Sequence, residues 1–130
     1  MITKIRDVIQ DIIENGPVKM QASCYGLLPP SIDPESWDYI VYNRGPIRKS
    51  GDTKNNFLEM YYVNIICEDA IPVDYIYYVI GKLTKIPGLR LADSDIQFDY
   101  TTKKGSDLVV EVATIPFYRP YKWHTKVDDK

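Results

Sequence analysis

Three features of the sequence predict an α+β fold. Helical periodicity of apolar residues occurs twice, over residues 2–13 and 72–85. Strand-like runs rich in aromatic and β-branched residues fill much of the remainder. Clusters of Gly, Pro, Asn, Asp and Ser separate these segments, giving the order helix, strand, strand, helix, strand, strand. That order predicts a mixed or antiparallel sheet of about four to five strands packed by two helices. A chain of 130 residues suits a single domain over residues 1–130, with a loose C-terminal tail from about residue 122.

In the first helix Ile2, Ile5, Val8, Ile9, Ile12 and Ile13 recur at helical spacing, and Asn15-Gly16-Pro17 ends the pattern. The isoleucine stripe reads as a core-facing surface and would equally suit a neighbouring subunit. Pro17 to Pro34 has little periodicity and contains Pro29-Pro30 and Asp33-Pro34. It is expected to be a connecting loop, with room for one short strand near Met20 to Tyr25.

Trp37 to Asn43 (WDYIVYN) is the first firm strand. Arg44 to Asn56 mixes Gly, Pro, Ser, Asp and Asn with Arg44, Arg48, Lys49 and Lys54, which predicts a long hairpin connection projecting into solvent. Phe57 to Glu68 returns as a long strand. Phe57, Tyr61, Val63, Ile65 and Cys67 share one face, and Leu58, Met60, Tyr62 and Ile66 make the other nearly as apolar. A sheet covered on one face only shows polar residues at every second position. Something is therefore expected to cover the second face, either the protein's own helix or another copy.

In the second helix Pro72 suits the first turn, Asp74 complements the positive helix start, and Val73, Ile76, Tyr77, Ile80 and Leu83 form the apolar stripe. Lys82 and Lys85 sit in the last turn and Pro87-Gly88 stops it. Ile96, Phe98 and Tyr100 then alternate with Gln97, Asp99 and Thr101, the period of a strand with one wet face. Lys103-Lys104-Gly105-Ser106 supplies a turn, and Leu108 to Phe117 is the partner strand, its end marked by Pro116 and the dense PFYRPYKW.

The inventory for chemistry is thin. The formal net charge of −2 argues against a protein that coats nucleic acid. Cys24 and Cys67 form no CxxC pair and read as free thiols in a reducing cytosol. Residues 1–16 alternate isoleucine with charge, unlike a signal peptide, and no run approaches the ~20 apolar residues of a membrane span. His124, the only histidine, lies in the tail, so a Ser–His or Cys–His pair would depend on it alone. The glycines are scattered singly and build no phosphate-cradling loop. Asp93, Asp95 and Asp99 have a spacing that a hard metal ion can use, but a solvated strand face is the simpler reading. No enzyme, metal or cofactor is expected.

Two surfaces for binding remain. The Arg44–Lys54 segment and Arg119, Lys122 and Lys126, with Tyr118, Tyr121 and Trp123, interleave cations and aromatics as single-strand nucleic-acid binders do, and also as the rims of protein interfaces do. The eleven tyrosines favour interfaces, since tyrosine offers large contact area with a polar end. Tyr61-Tyr62 and Tyr77-Tyr78 are adjacent pairs whose rings diverge, so some of them should meet a partner. The candidate interface residues are Arg44, Arg48, Lys49, Lys54, Tyr61, Tyr62, Tyr78 and Arg119.

The stretch EDAIPVDYIYYVIGKLTK, followed by IPGLRLADSDIQFDYTTKKGSDLVVEVATIPFYRP, resembles the tail-terminator family, the small tail-completion or tail-to-head joining proteins of long-tailed phages and prophages of Gram-positive bacteria. The resemblance covers mainly Trp37 to Pro120 and rests on a pattern of strand, charged loop, strand, acidic helix start, LxxIPG, hairpin and IPFxRP. It implies an α+β subunit that assembles with itself as a ring, typically hexameric, on the last ring of the tail tube. Such a ring stops tube polymerisation and presents a joint to the head connector or neck protein. It implies no active site, no membrane, only incidental contact with DNA in the ring channel, and a location in the virion and, during assembly, the host cytoplasm. The family has no short motif to carry over, so the interface residues above come from the sequence itself; the Arg44–Asn56 segment is placed to reach a neighbouring subunit or the tube. A head-completion or neck adaptor protein and a small nucleic-acid-binding module are the alternatives.

Overall fold

The computed structural model describes residues 1–27, 37–51, 55–102 and 107–122. Helix α1 (Ile2–Asn15) buries Ile5, Ile9 and Ile12 and ends where Gly16 turns to extended backbone, its N–H still bonded to the Ile12 carbonyl. Strand β1 (Ala22–Tyr25) follows, then β2 (Tyr39–Lys49), β3 (Asn56–Cys67), helix α2 (Val73–Leu83), β4 (Arg90–Leu91), β5 (Gln97–Thr102) and β6 (Val109–Lys122). The sheet is mixed: β1 runs parallel to β2, and every other pair is antiparallel. Its order is β1-β2-β3-β6-β4, and β5 lies along the same outer side of β6 as β4.

The α+β class and two packing helices match the sequence prediction, while the strand count and order do not. Six strands form, where four to five in the order helix, strand, strand, helix, strand, strand were expected. The short strand in the Pro17–Pro34 segment joins the sheet as β1, and β4 is added as a two-residue rung before β5. A rung that short has no periodicity to read. It is held because Pro87-Gly88 turns the chain sharply after α2, with Gly88 at φ 87°, and returns it to the edge of β6.

Two predicted ends also move. The Arg44–Asn56 hairpin connection is largely strand: β2 continues to Lys49, with a register shift between Arg44 and Ile47. The shift is a bulge that absorbs Gly45-Pro46, so the amide missing from proline costs the ladder nothing. β6 likewise runs through Pro116 and Pro120 to Lys122 rather than ending near Pro116. The Pro116 carbonyl accepts the Ala92 N–H at 2.9 Å, so the backbone groups of residues 116, 118 and 120 point away from β3. Both prolines therefore sit where β3 needs no donor. The tail beyond Lys122 lies outside the described residues.

Both helices cover one face of the sheet. Their stripes meet Ile40 and Tyr42 of β2, Tyr61, Val63, Ile65 and Cys67 of β3, and Ala113, Ile115 and Phe117 of β6. The second face, expected to be covered by a helix or a copy, has neither helix on it. It carries a small cluster of Val41, Ile66 and Val110, with Cys24, Trp37 and Val112 against them. Beside that cluster runs a polar ladder. Asn64 Nδ2 donates to the Val41 carbonyl and to Asn43 Oδ1, each at 3.0 Å, and Thr114 donates to Asn64 Oδ1 at 2.8 Å. β5 is exposed along its whole length, not wet on one face only as its alternation predicts, because the strand lies beyond the reach of the helices.

Candidate interaction surfaces

Past the bulge, Arg44–Lys49 of β2, Asn56–Met60 of β3 and Tyr118–Lys122 of β6 form a three-stranded arm. The start of α1 closes over its base: Met1 and Ile2 line a cavity of about 240 Å³ with Arg44, Ile47, Glu59, Tyr61 and Arg119. Glu59 organises this site. Arg119 Nε lies 3.4 Å from its carboxylate, and the Tyr61 hydroxyl donates to it at 3.3 Å. Burial raises the Tyr61 pKa, and the Glu59 charge beside it adds to the effect. The Arg119 guanidinium also lies 5.0 Å from the centre of the Tyr121 ring, a cation–π geometry.

The structure thus brings together Arg44, Tyr61 and Arg119 of the predicted interface residues. Tyr61 is only 7% exposed and belongs to the helix-side core as well as lining the cavity. Arg48 and Lys49 are exposed on β2 further along the arm, on strand rather than on the predicted loop. Lys54 lies outside the described residues. Tyr62 is on the second face, lying across Gly45: a Cβ there would stand 2.8 Å from the Tyr62 ring and 2.9 Å from Met60 Cβ. Tyr78 is separate from all of these. It is half-buried on α2, stacked on Tyr75 at 6.1 Å, and beside Gly16 at the far end of α1 from the arm.

Sequence reasoning missed a second surface, at the opposite end of the sheet. Phe98 and Tyr100 of β5, Val109 of β6, and Val73 and Tyr77 of α2 are all 42–64% exposed. The Glu111 carboxylate ties this end together by accepting the Ile71 N–H, two residues before α2, and the hydroxyl of Tyr100. Phe98 and Tyr100 alternate as core residues do, and alternation alone cannot distinguish a face under a helix from one beyond its end.

Charge is divided between the two surfaces. The arm carries Arg44, Arg48, Lys49, Arg119 and Lys122 against Glu59 alone. At the other end, residues 37–41, 66–74, 97–102 and 107–112 contain carboxylates and no lysine or arginine, while Lys103 and Lys104, which follow β5 in the chain, lie outside the described residues. Asp38, Glu68 and Glu111 turn inward to bind the backbone N–H groups of Glu68, Trp37 and Ile71. Asp69, Asp74, Asp99 and Asp107 face solvent.

No three His, Cys, Asp or Glu side chains converge as a metal site among the described residues. His124 lies outside them, and Asp93, Asp95 and Asp99 are exposed. Both cysteines are free. Burial raises the Cys24 thiol and pushes Cys67 up to about 12, so neither is an activated nucleophile at neutral pH. No helix among the described residues is long and apolar enough to cross a membrane. No protein-family model matches the chain, and no curated protein matches it.

Proposed function

We propose that this protein is a virion assembly protein, a tail terminator that caps the phage tail tube as a ring, stops its polymerisation and provides the joint to the head connector. The observation that carries the reading is the pair of unlike exposed surfaces on one small subunit: a basic arm and an end with large exposed apolar side chains. A ring requires two different faces on each copy, because a head-to-tail contact joins unlike patches. The resemblance of residues 37–120 to tail-completion proteins supplies the setting. A head-completion or neck adaptor protein would use the same two surfaces and differs in which end of the connector it meets.

The mass of the purified chain in solution, followed across a concentration series with and without purified tail tubes, tests the reading. A ring, or a monomer that becomes one on tubes and blocks further tube growth, is the expected result. A monomer indifferent to tubes overturns it. The arm's five cations beside Tyr121 favour one other reading, a nucleic-acid-binding module. Binding of a DNA fragment that weakens steeply with salt would support that alternative.

A further inference from the structure

We infer that the groove between the first turn of α1 and the strands β1 and β2 is a binding site for a phosphate group, held by Arg6, Arg44 and Tyr42. The inference stands apart from the ring reading and needs no second copy of the chain.

The groove has a volume of about 280 Å³ and is lined by Ile2, Thr3, Arg6, Tyr25, Tyr42 and Arg44. Ile2 and Arg6 are one turn apart on the same side of α1. Tyr42 and Arg44 alternate onto the helix side of β2, opposite Val63 and Tyr61 of β3. Helix and strand therefore bring one arginine each. Arg44 is exposed and has no ion-pair partner among the described residues.

Tyr42 shows that the groove lacks an occupant it is built to meet. The residue is only 5% exposed, its ring tilted against Tyr25 at 5.6 Å. Its hydroxyl has no hydrogen-bond partner among the described residues, whereas the partnerless polar side-chain atoms sealed from solvent are Trp37 Nε1 and the Tyr75 hydroxyl. The Tyr42 hydroxyl therefore opens into the groove that the residue lines, and a buried tyrosine ordinarily finds a partner for that group. Burial holds its pKa above the ordinary tyrosine value against the pull of the Arg6 charge, so at neutral pH it is a donor.

The other polar groups also suit an anion. Two guanidiniums and the Thr3 hydroxyl line the groove, and no carboxylate does. The N–H groups of Ile2, Thr3 and Lys4 lie at the same helix start: the Ile5 N–H is the first to bond within α1, no side chain caps the start, and its first turn holds no acidic residue. Asp7 lies 3.4 Å from Arg6 and offsets it in part, with both side chains largely exposed. Glu59, in the neighbouring cavity that Arg44 also lines, is engaged by Arg119 and Tyr61. Asp33 and Glu35, which follow Tyr25 in the chain, lie outside the described residues. A phosphate monoester has three terminal oxygens and a charge of about −1.5 to −2 at neutral pH, enough to engage both guanidiniums and the hydroxyl together. Tyr25, 53% exposed, offers a ring face to whatever group carries the phosphate.

Calorimetric titration of the full chain with inorganic phosphate and with phenyl phosphate tests the site, with circular dichroism to verify the fold of each variant. Wild type should bind phenyl phosphate, Arg44→Gln should weaken binding about tenfold or more, and Tyr42→Phe about threefold or more. Lys19→Gln, which removes an exposed cation beyond the far end of α1, should leave binding unchanged. Equal binding of inorganic phosphate identifies the free ion as the ligand, and binding of phenyl phosphate alone assigns an organic carrier to Tyr25; either result supports the site. Failure of both probes to bind, a folded Arg44→Gln or Tyr42→Phe that binds as wild type does, or an equal loss in Lys19→Gln overturns it.

Discussion

The two faces of the sheet are built on different principles from the same central strand. On the helix side β3 presents Tyr61, Val63, Ile65 and Cys67, each at most 7% exposed, to isoleucines of α1 and the stripe of α2. On the other side β3 presents Tyr62, Asn64 and Ile66, where an asparagine–threonine ladder spans three strands and only a small apolar cluster forms. The first face is held by apolar burial, which is non-directional and scales with area. The second is held in part by hydrogen bonds, which fix register and leave the surface wettable. The comparison teaches that apolar content along a strand reports which residues tolerate burial, whereas the polar residue at its middle reports which face the helices avoid.

Truncation on each face breaks the comparison in a different way. Phe117 of β6 is fully buried in the helix-side core, and Phe117→Ala should lower unfolding stability by about 3–5 kcal/mol through lost burial and a cavity. Denaturant unfolding would measure it; a loss below about 1 kcal/mol would mean that the helix-side core does not dominate. Asn64→Ala should cost less, about 1–2 kcal/mol, because it strips Thr114 and Asn43 of partners that water can partly replace at half-buried positions. If the two substitutions cost the same, the ladder is as much a part of the core as Phe117.

Much of the architecture was legible because its determinants are periodic. The isoleucines of α1, the Val73–Leu83 stripe and the alternation in β3 place the helices and the central strand within a residue or two. The missed features depend on contacts distant in sequence. Pro116 reads as a strand end until Pro116 is known to face β4 rather than β3. Gly45-Pro46 reads as a loop until a bulge is known to absorb it. Of the candidate surface, the basic residues on β2 were legible from charge alone. The burial of Tyr61, with its hydroxyl on Glu59, was not legible because a tyrosine in the core has the same letter as one on the surface. The apolar end around Phe98 and Tyr100 was invisible because its exposure depends on where α2 begins relative to the sheet.

The smallest expected effect concerns how the covered face is clasped from outside. Lys82 of α2 reaches Asp11 of α1 at 2.9 Å, and Asn15 donates to the same carboxylate at 2.8 Å. The Lys82 hydrogen bond, then the Asn15 bond and the Lys82 charge, hold the Asp11 pKa below the usual carboxylate range, and Asp11 in turn raises Lys82. A lowered carboxylate pKa contributes stability that is present above its unfolded value and disappears as pH falls through the folded one. A raised lysine pKa contributes stability below its unfolded value and loses it as pH rises through the folded one. The clasp therefore acts across the neutral range and fails at both extremes. Since both partners are solvent-exposed, the effect is small and screened by salt. Asp11→Asn should lower the Tm slightly at neutral pH and low salt, with wild type and variant converging in acid below the Asp11 titration. A difference that persists unchanged into acid would mean that the charge pair between Asp11 and Lys82 does not tie α1 to α2, since the Asn15 hydrogen bond lies within α1 itself.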